Sequence, residues 1–294
     1  MKIKKAIIPV AGLGTRMLPA TKAIPKELLP IFDKPIIQHV VEEAILCGIE
    51  QIIFITRSGK EAIENHFDEN FELEKRLDET GRTQMLSKVK NIIPKNIKIT
   101  SVRQNQPRGL GHAILCSEHL INEKEPFVVI LPDMFILENN KSPALSQMFK
   151  RYSKTLKGQL LAKKISKEES NKFGIIDIGK KLSPSKGFHE VRGLVEKPIP
   201  KEAASNLALF GRYILPYEVF YYLKKLDHSS NEEIDLTRAI DLSLKKSSME
   251  AFITDQKIFD CGSVDGFLGA NFSYAIKHKL LRSKLRKEFN SFKV

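Results

Sequence analysis

Short apolar runs alternate with helical patterns along the first 131 residues, and this alternation limits the folds that are open to the chain. Runs that predict strands lie at 3–10, 51–56, 96–102 and 127–131. Helical patterns separate them at 36–47, at 59–90 (a helical hairpin or pair) and at 112–120. Such alternation is typical of a parallel sheet with right-handed crossovers. We therefore expect an α/β fold with a doubly wound, mostly parallel, Rossmann-like mixed sheet flanked by helices.

The second half of the chain predicts shorter strands that continue this sheet. Its apolar runs lie at 159–165, 173–178, 192–198 and 208–215, and its helical patterns lie at 217–226 and 234–246. We expect one domain over residues 1–294, made of a first half at about 1–150 and a second half at about 151–294. Ligands of such sheets bind beyond the carboxyl ends of the strands, so the polar residues that follow strands are the candidates for a site.

The formal net charge of +13 invites a nucleic-acid hypothesis, but the charge is uneven. Residues 277–294 carry seven basic side chains against the single acid Glu288. Apolar residues recur at helical spacing in the same segment: Ile276, Leu280, Leu281, Leu285 and Phe289. This pattern predicts an amphipathic terminal helix that packs on the domain with a solvated basic face. No run approaches the ~20 apolar residues of a membrane helix, so we expect a cytoplasmic protein without nucleic-acid or membrane partners.

The most informative segment runs from Ala11 to Pro35, directly after the first predicted strand, and reads AGLGTRMLPATKAIPKELLPIFDKP. It matches neither the phosphate loop G-x-x-x-x-G-K-[ST] nor the dinucleotide motif G-x-G-x-x-G. Its four prolines exclude a continuous helix, so a long loop holds Arg16 and Lys26 around one place. Gly12 and Gly14 allow the backbone to approach a triphosphate, and the two cations can bind its oxygens. The segment therefore suits phosphoryl or nucleotidyl transfer between anions.

This segment resembles the sugar-nucleotide pyrophosphorylases, whose G-x-G-T-R loop is followed by P-K-E-L-L-P and D-K-P. The likeness is greatest to the bacterial UTP–glucose-1-phosphate uridylyltransferases and covers essentially the entire chain. It implies a nucleotidyltransferase that joins UTP to glucose 1-phosphate, with a nucleotide-binding first half and a sugar phosphate-binding second half. It implies catalytic roles for Arg16 and Lys26 at the reacting phosphates. It also implies nucleotide contacts from Ala11, Gly12, Gly14, Thr15 and Glu27.

A second block, VRQNQPRGLGHA from Val102 to Ala113, follows another predicted strand. The amide of Gln104 can both donate and accept a hydrogen bond, which is what the edge of a uracil ring requires. Gly109 allows close backbone approach. By resemblance, Gln104 and Gly109 bind the uracil. The alternative for Gln104 is an ordinary exposed loop amide.

A carboxylate follows the apolar run FVVIL, where Asp133 is well placed to hold Mg²⁺. This cation prefers oxygen ligands and commonly joins one or two carboxylates to substrate phosphates. Many relatives with the LPD motif carry a second acid at the next position, but this chain has Met134 there. By resemblance, the second metal ligand is Asp260 in FDCGS, for which a turn-forming aspartate is the alternative. We expect Mg²⁺ as the cofactor.

The second half contains motifs that match the sugar phosphate site of the same family. They are FGIID, VEKP and GRY, which supply Gly174, Glu196, Lys197, Gly211 and Arg212. By resemblance, the glutamate accepts hydrogen bonds from glucose hydroxyls and the lysine neutralises the sugar phosphate. The later segment EIDLTRAID resembles the family's E-I-x-L-T-D-A, with Arg238 in place of the acid, and we assign it no chemistry.

The acceptor phosphate that this resemblance implies is already ionised at neutral pH, so no protein general base is needed. We predict direct in-line attack without a covalent enzyme intermediate. The nearest alternative is a dTTP–glucose-1-phosphate thymidylyltransferase. Those relatives usually show K-Q-L-L-P and G-L-A-Q-A, whereas this chain has KELLP and GLGHA. A non-catalytic sugar-nucleotide sensor is a further alternative. Such a sensor is expected to lack Lys26 or Asp133, whereas this chain has both. The resemblance also implies a homodimer or homotetramer.

Overall fold

The computed structural model describes residues 2–137, 142–182, 187–229, 233–277 and 279–291. The strands are β1 (Lys5–Pro9), β2 (Pro30–Ile31), β3 (Lys34–Pro35), β4 (Gln51–Thr56), β5 (Lys98–Arg103), β6 (Phe127–Ile130), β7 (Met134–Leu137), β8 (Gly158–Lys164), β9 (Gly174–Lys181), β10 (Phe188–Glu196), β11 (Leu207–Leu215), β12 (Met249–Ile253) and β13 (Lys257–Asp260). The α-helices are α1 (Ile36–Leu46), α2 (Glu61–Phe67), α3 (Phe71–Glu79), α4 (Thr83–Lys90), α5 (Gly109–Leu115), α6 (Ala144–Thr155), α7 (Val219–Ser229), α8 (Leu236–Ser243), α9 (Val264–Lys277) and α10 (Lys279–Ser291). Short 3₁₀ turns lie at Thr15–Met17, Ala20–Lys22, Lys26–Leu28, Glu118–Leu120 and Lys167–Lys172.

A nine-stranded sheet in the order β5-β4-β1-β6-β11-β8-β12-β10-β9 forms the centre of the described residues. Strands β5, β4, β1 and β6 run parallel to one another. Strand β11 runs antiparallel to both β6 and β8, and β10 runs antiparallel to both β12 and β9. Among the described strands of the second half, β8 and β12 are the only parallel pair. The predicted α/β fold with a mixed sheet is confirmed, but the expectation of a mostly parallel sheet was wrong beyond β6, because an apolar run does not encode strand direction.

Hydrophobic side chains cover both faces of this sheet. Successive residues of a strand point to opposite faces. Accordingly, Ile7 packs in one core with side chains from α5, α7 and α8, whereas Ile8 packs in another with side chains from α1 and α6. Both isoleucines are fully buried. The continuous apolar runs of the central strands follow from this burial on both sides.

Two peripheral segments differ in detail from the sequence expectation. Residues 59–90 form the three short helices α2, α3 and α4, where a hairpin or pair was expected. The terminal helix α10 packs against α9, with Leu281 and Leu285 partly buried and Arg282 and Arg286 exposed, as the amphipathic pattern predicts. The last part of that predicted helix, residues 292–294, lies outside the described residues.

Among the described residues, we find no helix that has both the length and the apolar character needed to cross a membrane.

Candidate active site

A cavity of about 390 Å³ opens at the carboxyl ends of β1, β4, β5 and β6. It is lined by residues from segments 11–35 and 102–113 and from the turn after β6, including Ala11, Gly12, Lys26, Gln104, Gly109 and Asp133. The parallel strands explain this convergence, because the residues that follow them emerge at one edge of the sheet. Predicted nucleotide contacts that are far apart in sequence therefore share one cavity.

The loop between β1 and β2 owes its compact path to glycine and proline. Gly14 has a left-handed backbone with φ of 70°, which favours a residue without a Cβ. Its carbonyl accepts a hydrogen bond of 2.7 Å from the Thr21 hydroxyl, which closes the first part of the loop. Thr15 is exposed and begins the first 3₁₀ turn, and a later turn begins at Lys26. This path carries Arg16 and Lys26 to the same side of the sheet.

Each of these cations forms an ion pair with one of the predicted metal ligands. Lys26 Nζ donates to Asp133 Oδ2 over 2.6 Å, and both side chains are largely buried. Arg16 donates to both carboxylate oxygens of Asp260, over 2.6 and 3.2 Å. Arg16 is the more exposed cation, with 57% of its side chain accessible. The two predicted catalytic residues and the two predicted metal ligands therefore form one cluster of alternating charge.

Burial and charge compete at Asp133 and Lys26. Burial alone would raise the pKa of Asp133, but the nearby Lys26 ammonium outweighs it and holds that pKa below its ordinary value. Burial likewise opposes the charged form of Lys26, but Asp133 raises the pKa of the ammonium overall. The hydrogen bond to Asp260 raises the pKa of Arg16. These shifts in pKa favour the charged forms of Asp133, Lys26 and Arg16 at neutral pH.

The ribbon formed by β7 and β13 brings Asp133 and Asp260 together. Asp260 is opposite Met134 in this antiparallel pair, and the Cys261 amide donates to the Asp133 carbonyl over 2.8 Å. A Cβ placed on Gly262 would lie 3.0 Å from an oxygen of each aspartate, so the two carboxylates border one small space. We find no cluster of three or more potential metal-ligating side chains within the described ranges. Two carboxylates that border one space suit Mg²⁺, which completes its oxygen shell with water and phosphate.

Gln104 and Gly109 contact each other at the other end of the cavity. Gln104 Nε2 donates to the Gly109 carbonyl over 3.1 Å and lies 3.1 Å from His112 Nδ1. Gly109 has φ of 85°, and a Cβ at this position would overlap the Glu233 side chain. The glycine is therefore required for the close approach of these two segments.

Gly174 at the start of β9 comes together in the second half with Glu196 at the end of β10 and with Lys197, which follows β10. Glu196 Oε2 accepts a hydrogen bond of 2.7 Å from Thr237 Oγ1, and Lys197 Nζ lies 3.1 Å from Glu196 Oε1. A Cβ at Gly174 would lie 3.0 Å from Glu196 Oε2, so the missing side chain leaves room for this carboxylate. Gly211 has φ of 68° and packs against Leu131 and Met134, beside Asp133.

Arg212 is the predicted sugar phosphate ligand that the structure does not bring to this group. Only 1% of the residue is exposed, and its guanidinium pairs with both oxygens of Glu43. It also donates to the carbonyls of Leu131 and Met134. With these donors already engaged, the expectation of direct phosphate contact is corrected. Arg212 instead braces the turn that carries Asp133.

Glu27 also differs from the expectation of a nucleotide contact. Glu27 borders the cavity, but only 2% of the residue is exposed. Its Oε2 accepts a hydrogen bond of 2.7 Å from Lys60 Nζ. Burial raises the pKa of Glu27 and lowers that of Lys60. The carboxylate is therefore committed to an interior ion pair.

Sequence reasoning missed four residues at or behind this site. Lys60 pairs with Glu27, Thr237 binds Glu196, and Arg57 and Glu233 line the cavity. Arg57 and Lys60 follow β4, so the rule that ligands meet strand ends could have identified them. Glu233 and Thr237 belong to EIDLTRAID, which resembles a family motif but gave no chemical assignment from its residues alone.

Comparison with known proteins gives consistent matches along the chain. A family model described as "Nucleotidyl transferase" matches residues 5–276. The UTP–glucose-1-phosphate uridylyltransferases of Haemophilus ducreyi and Bacillus subtilis are 42% and 43% identical, over 96% and 97% of this chain and 97% and 95% of their own lengths.

Solved structures agree with these relatives. A UTP-bound UGPase from Acinetobacter baumannii superimposes with a TM-score of 0.90 at 39% identity, covering 99% of this chain and all of that one. A UDP-glucose pyrophosphorylase complexed with UDP-glucose has a TM-score of 0.83 at 39% identity, covering 94% of this chain and all of that one. The chain therefore belongs to the nucleotidyl transferase family and, within it, to the bacterial UTP–glucose-1-phosphate uridylyltransferases.

Proposed function

We propose that the chain transfers the uridylyl group of UTP to glucose 1-phosphate, which forms UDP-glucose and releases pyrophosphate. The observation that carries this proposal is the cluster of Arg16, Lys26, Asp133 and Asp260, of which Lys26 and Asp133 line the cavity. Two cations beside two carboxylates suit a reaction between anions that needs a divalent metal. The relatives bound to UTP and to UDP-glucose support this choice of substrate and product.

The nucleotide would occupy the cavity with its base near Gln104 and Gly109. None of the described residues donates a hydrogen bond to Gln104 Oε1, so this oxygen can accept the N–H of uracil. Backbone groups of the loop approach the ribose and phosphates, with contributions from Ala11, Gly12, Gly14 and Thr15. We assign Glu27 to the support of this loop and not to direct contact.

The sugar phosphate would bind at Gly174, Glu196, Lys197 and Gly211. Glu196 is held on one oxygen by Thr237 and on the other by Lys197, so its remaining lone pairs can accept glucose hydroxyls. More than half of the Lys197 side chain is exposed, which leaves its ammonium accessible to a phosphate.

We infer that Asp133 and Asp260 hold Mg²⁺, which when bound would neutralise phosphate charge and polarise the group under attack. The two carboxylates border one space, and the pKa of Asp133 lies below its ordinary value, which supports this assignment. Lys26 and Arg16 would turn from their carboxylate partners to the phosphate oxygens of the bound nucleotide. The positive charge of both residues then stabilises the transition state as the bond to pyrophosphate breaks.

The other residues of the proposed site act by positioning the two substrates. The acceptor phosphate needs no proton removed, so we propose direct in-line attack on the α-phosphorus without a covalent enzyme intermediate. Glu196 and Lys197 would orient the acceptor, and Gln104 and Gly109 would fix the nucleotide. A trapped uridylyl-enzyme would contradict this mechanism.

Purified protein tests the proposal by pyrophosphate release from glucose 1-phosphate, with UTP and dTTP compared side by side and metal omitted as a control. Metal-dependent turnover that prefers UTP supports the proposal. A preference for dTTP would move the chain to the thymidylyltransferases. No turnover with either nucleotide would favour the alternative that the protein is a non-catalytic sugar-nucleotide sensor.

We further infer a single domain with a doubly wound, Rossmann-like arrangement. The sheet joins the two halves through β6 and β11, and helices pack on both of its faces, which supports this inference. A homodimer or homotetramer, a cytoplasmic location and the lack of a nucleic-acid partner stay predictions.

A further inference from the structure

A buried ion pair lies directly behind the proposed catalytic loop. Lys60 Nζ donates to Glu27 Oε2 over 2.7 Å, with 7% and 1% of the two side chains exposed. Glu27 Oε1 is also buried and has no hydrogen-bond partner among the described residues. Such pairs rarely repay the cost of desolvation, and apolar side chains of similar size are often equally stable in their place. Stability alone therefore does not explain why this pair is present.

Its place in the loop connects the pair to Lys26. Glu27 follows Lys26 in the 3₁₀ turn Lys26–Leu28, and successive side chains of such a turn point about 120° apart. Lys26 extends to Asp133, whereas Glu27 extends to Lys60. Lys60 itself immediately precedes helix α2, which packs against the turn. The turn is therefore held on one side by Asp133 and on the other by Lys60.

The charges alternate across this turn. Lys60 is positive, Glu27 negative, Lys26 positive and Asp133 negative, and Lys26 interacts electrostatically with Glu27 as well as with Asp133. Without the charge of Lys60, Lys26 would be the remaining cation next to a buried, poorly hydrated carboxylate. Glu27 would then compete for Lys26 with Asp133 and with the substrate phosphates.

We propose that Lys60 is a positioning residue that neutralises Glu27 and thereby leaves Lys26 available to the reacting phosphates. The inference rests on the proposed uridylyl transfer. Lys60 touches neither substrate in this scheme. Its effect is on turnover and not on the capture of either substrate, because Gln104 and Glu196 bind the two ends of the reaction complex.

The test compares kcat, both KM values and the melting temperature of wild type and four variants. Lys60→Gln keeps a hydrogen-bond donor to Glu27 but removes the charge, and Lys60→Arg keeps the charge. Lys60→Gln/Glu27→Gln makes the pair neutral. The matched control is Lys5→Met, which breaks the partly buried Lys5–Glu125 pair at the opposite end of β1.

We expect Lys60→Gln to lower kcat by about tenfold or more while both KM values stay within about threefold of wild type. Lys60→Arg and the neutral double variant should recover most of that kcat, and Lys5→Met should leave kcat unchanged. Wild-type kcat in Lys60→Gln, or a double variant as slow as Lys60→Gln, overturns the inference. If Lys60→Gln does not fold, the double variant decides: near-wild-type kcat supports the neutralising role, and a tenfold loss overturns it. A wild-type chain that releases no pyrophosphate from UTP and glucose 1-phosphate removes the proposed function and this inference with it.

Discussion

The ammonium of Lys26 lies 2.6 Å from Oδ2 of Asp133, although 107 residues separate them in the sequence. One comes from the loop after β1 and the other from the turn after β6, which are neighbouring parallel strands. The pair joins a proposed catalytic cation to a proposed metal ligand. Binding of the proposed metal and nucleotide here would therefore redistribute contacts that already exist.

Lys26→Ala should lower kcat by about a hundredfold or more, because the loss of a preorganised positive group at the reacting phosphates removes transition-state stabilisation. Initial rates of pyrophosphate release and a circular dichroism spectrum measure activity and folding separately. Lys4→Ala is the control, since Lys4 forms an exposed pair with Glu50 far from the cavity. Near-normal turnover in Lys26→Ala would exclude Lys26 from the mechanism.

Asp133→Asn and Asp260→Asn should each raise the Mg²⁺ concentration needed for half-maximal rate, by about tenfold or more, because a neutral amide is a weaker ligand for this hard cation. A chelator should abolish turnover of the wild type, and added Mg²⁺ should restore it. An unchanged Mg²⁺ titration in either variant would remove that aspartate from the metal site.

Thr237→Val should raise KM for glucose 1-phosphate by about tenfold, since it deletes a hydrogen bond to a charged carboxylate while preserving shape. The KM for UTP should change little, because Thr237 contacts Glu196 and not the nucleotide cavity. Thr237→Ser retains the hydroxyl and is the matched control. If Thr237→Val and Thr237→Ser raise the KM for glucose 1-phosphate equally, the hydrogen bond from Thr237 to Glu196 has no role in binding the sugar phosphate.

Arg212→Met should destabilise the protein by about 3–5 kcal/mol, because it leaves Glu43 without its buried partner. Urea denaturation measures this loss. Folded variant enzyme should retain its KM for glucose 1-phosphate, because Arg212 is directed to Glu43 and the turn carbonyls. A large rise in that KM with unchanged stability would restore the original expectation of phosphate contact.

Stability should fall as the solution is acidified below about pH 6.5, the ordinary pKa of histidine. Burial lowers the pKa of both His39 and His66 in the folded protein. The unfolded chain therefore binds protons first as pH falls, and the loss of stability is complete only below the lowered folded-state pKa values. Urea midpoints at pH 7, 6 and 5 measure the slope, which should be shallower in His66→Gln. A slope identical to wild type would exclude His66 as a contributor.

The sequence predicted the strand positions well where burial imposes a long apolar run. Residues 51–56 were expected as a strand and form β4 with the same limits. Strand direction after β6 was not predictable, because side-chain hydrophobicity is the same in parallel and antiparallel neighbours. Residues 59–90 are divided into α2, α3 and α4 by short polar links. The helical pattern of the sequence did not predict where these links interrupt the helix.

Local motifs predicted which residues would cluster, but partners at long range were not visible. Lys26 and Asp133 both lie in recognisable motifs, and the sheet brings them together. Arg212 also lies in a motif, yet its orientation depends on Glu43 in α1, which no spacing rule connects to β11. The pairing of Lys60 with Glu27 was not visible for the same reason, since Glu27 precedes it by 33 residues, although the position of Lys60 after β4 was a signal that could have been used.

Hydrogen bonds between β6 and β11 join the half of the sheet that carries Asp133 to the half that carries Gly174 and Glu196. Both proposed substrate sites therefore lie on one continuous hydrogen-bonded sheet, and the distance between the two sites is set by the pairing of its strands. Any rearrangement around the proposed substrates would then involve the segments outside the sheet, above all the loop at residues 11–35. We therefore expect entry and release of the substrates to depend on motion of this loop and not on rotation of one half against the other.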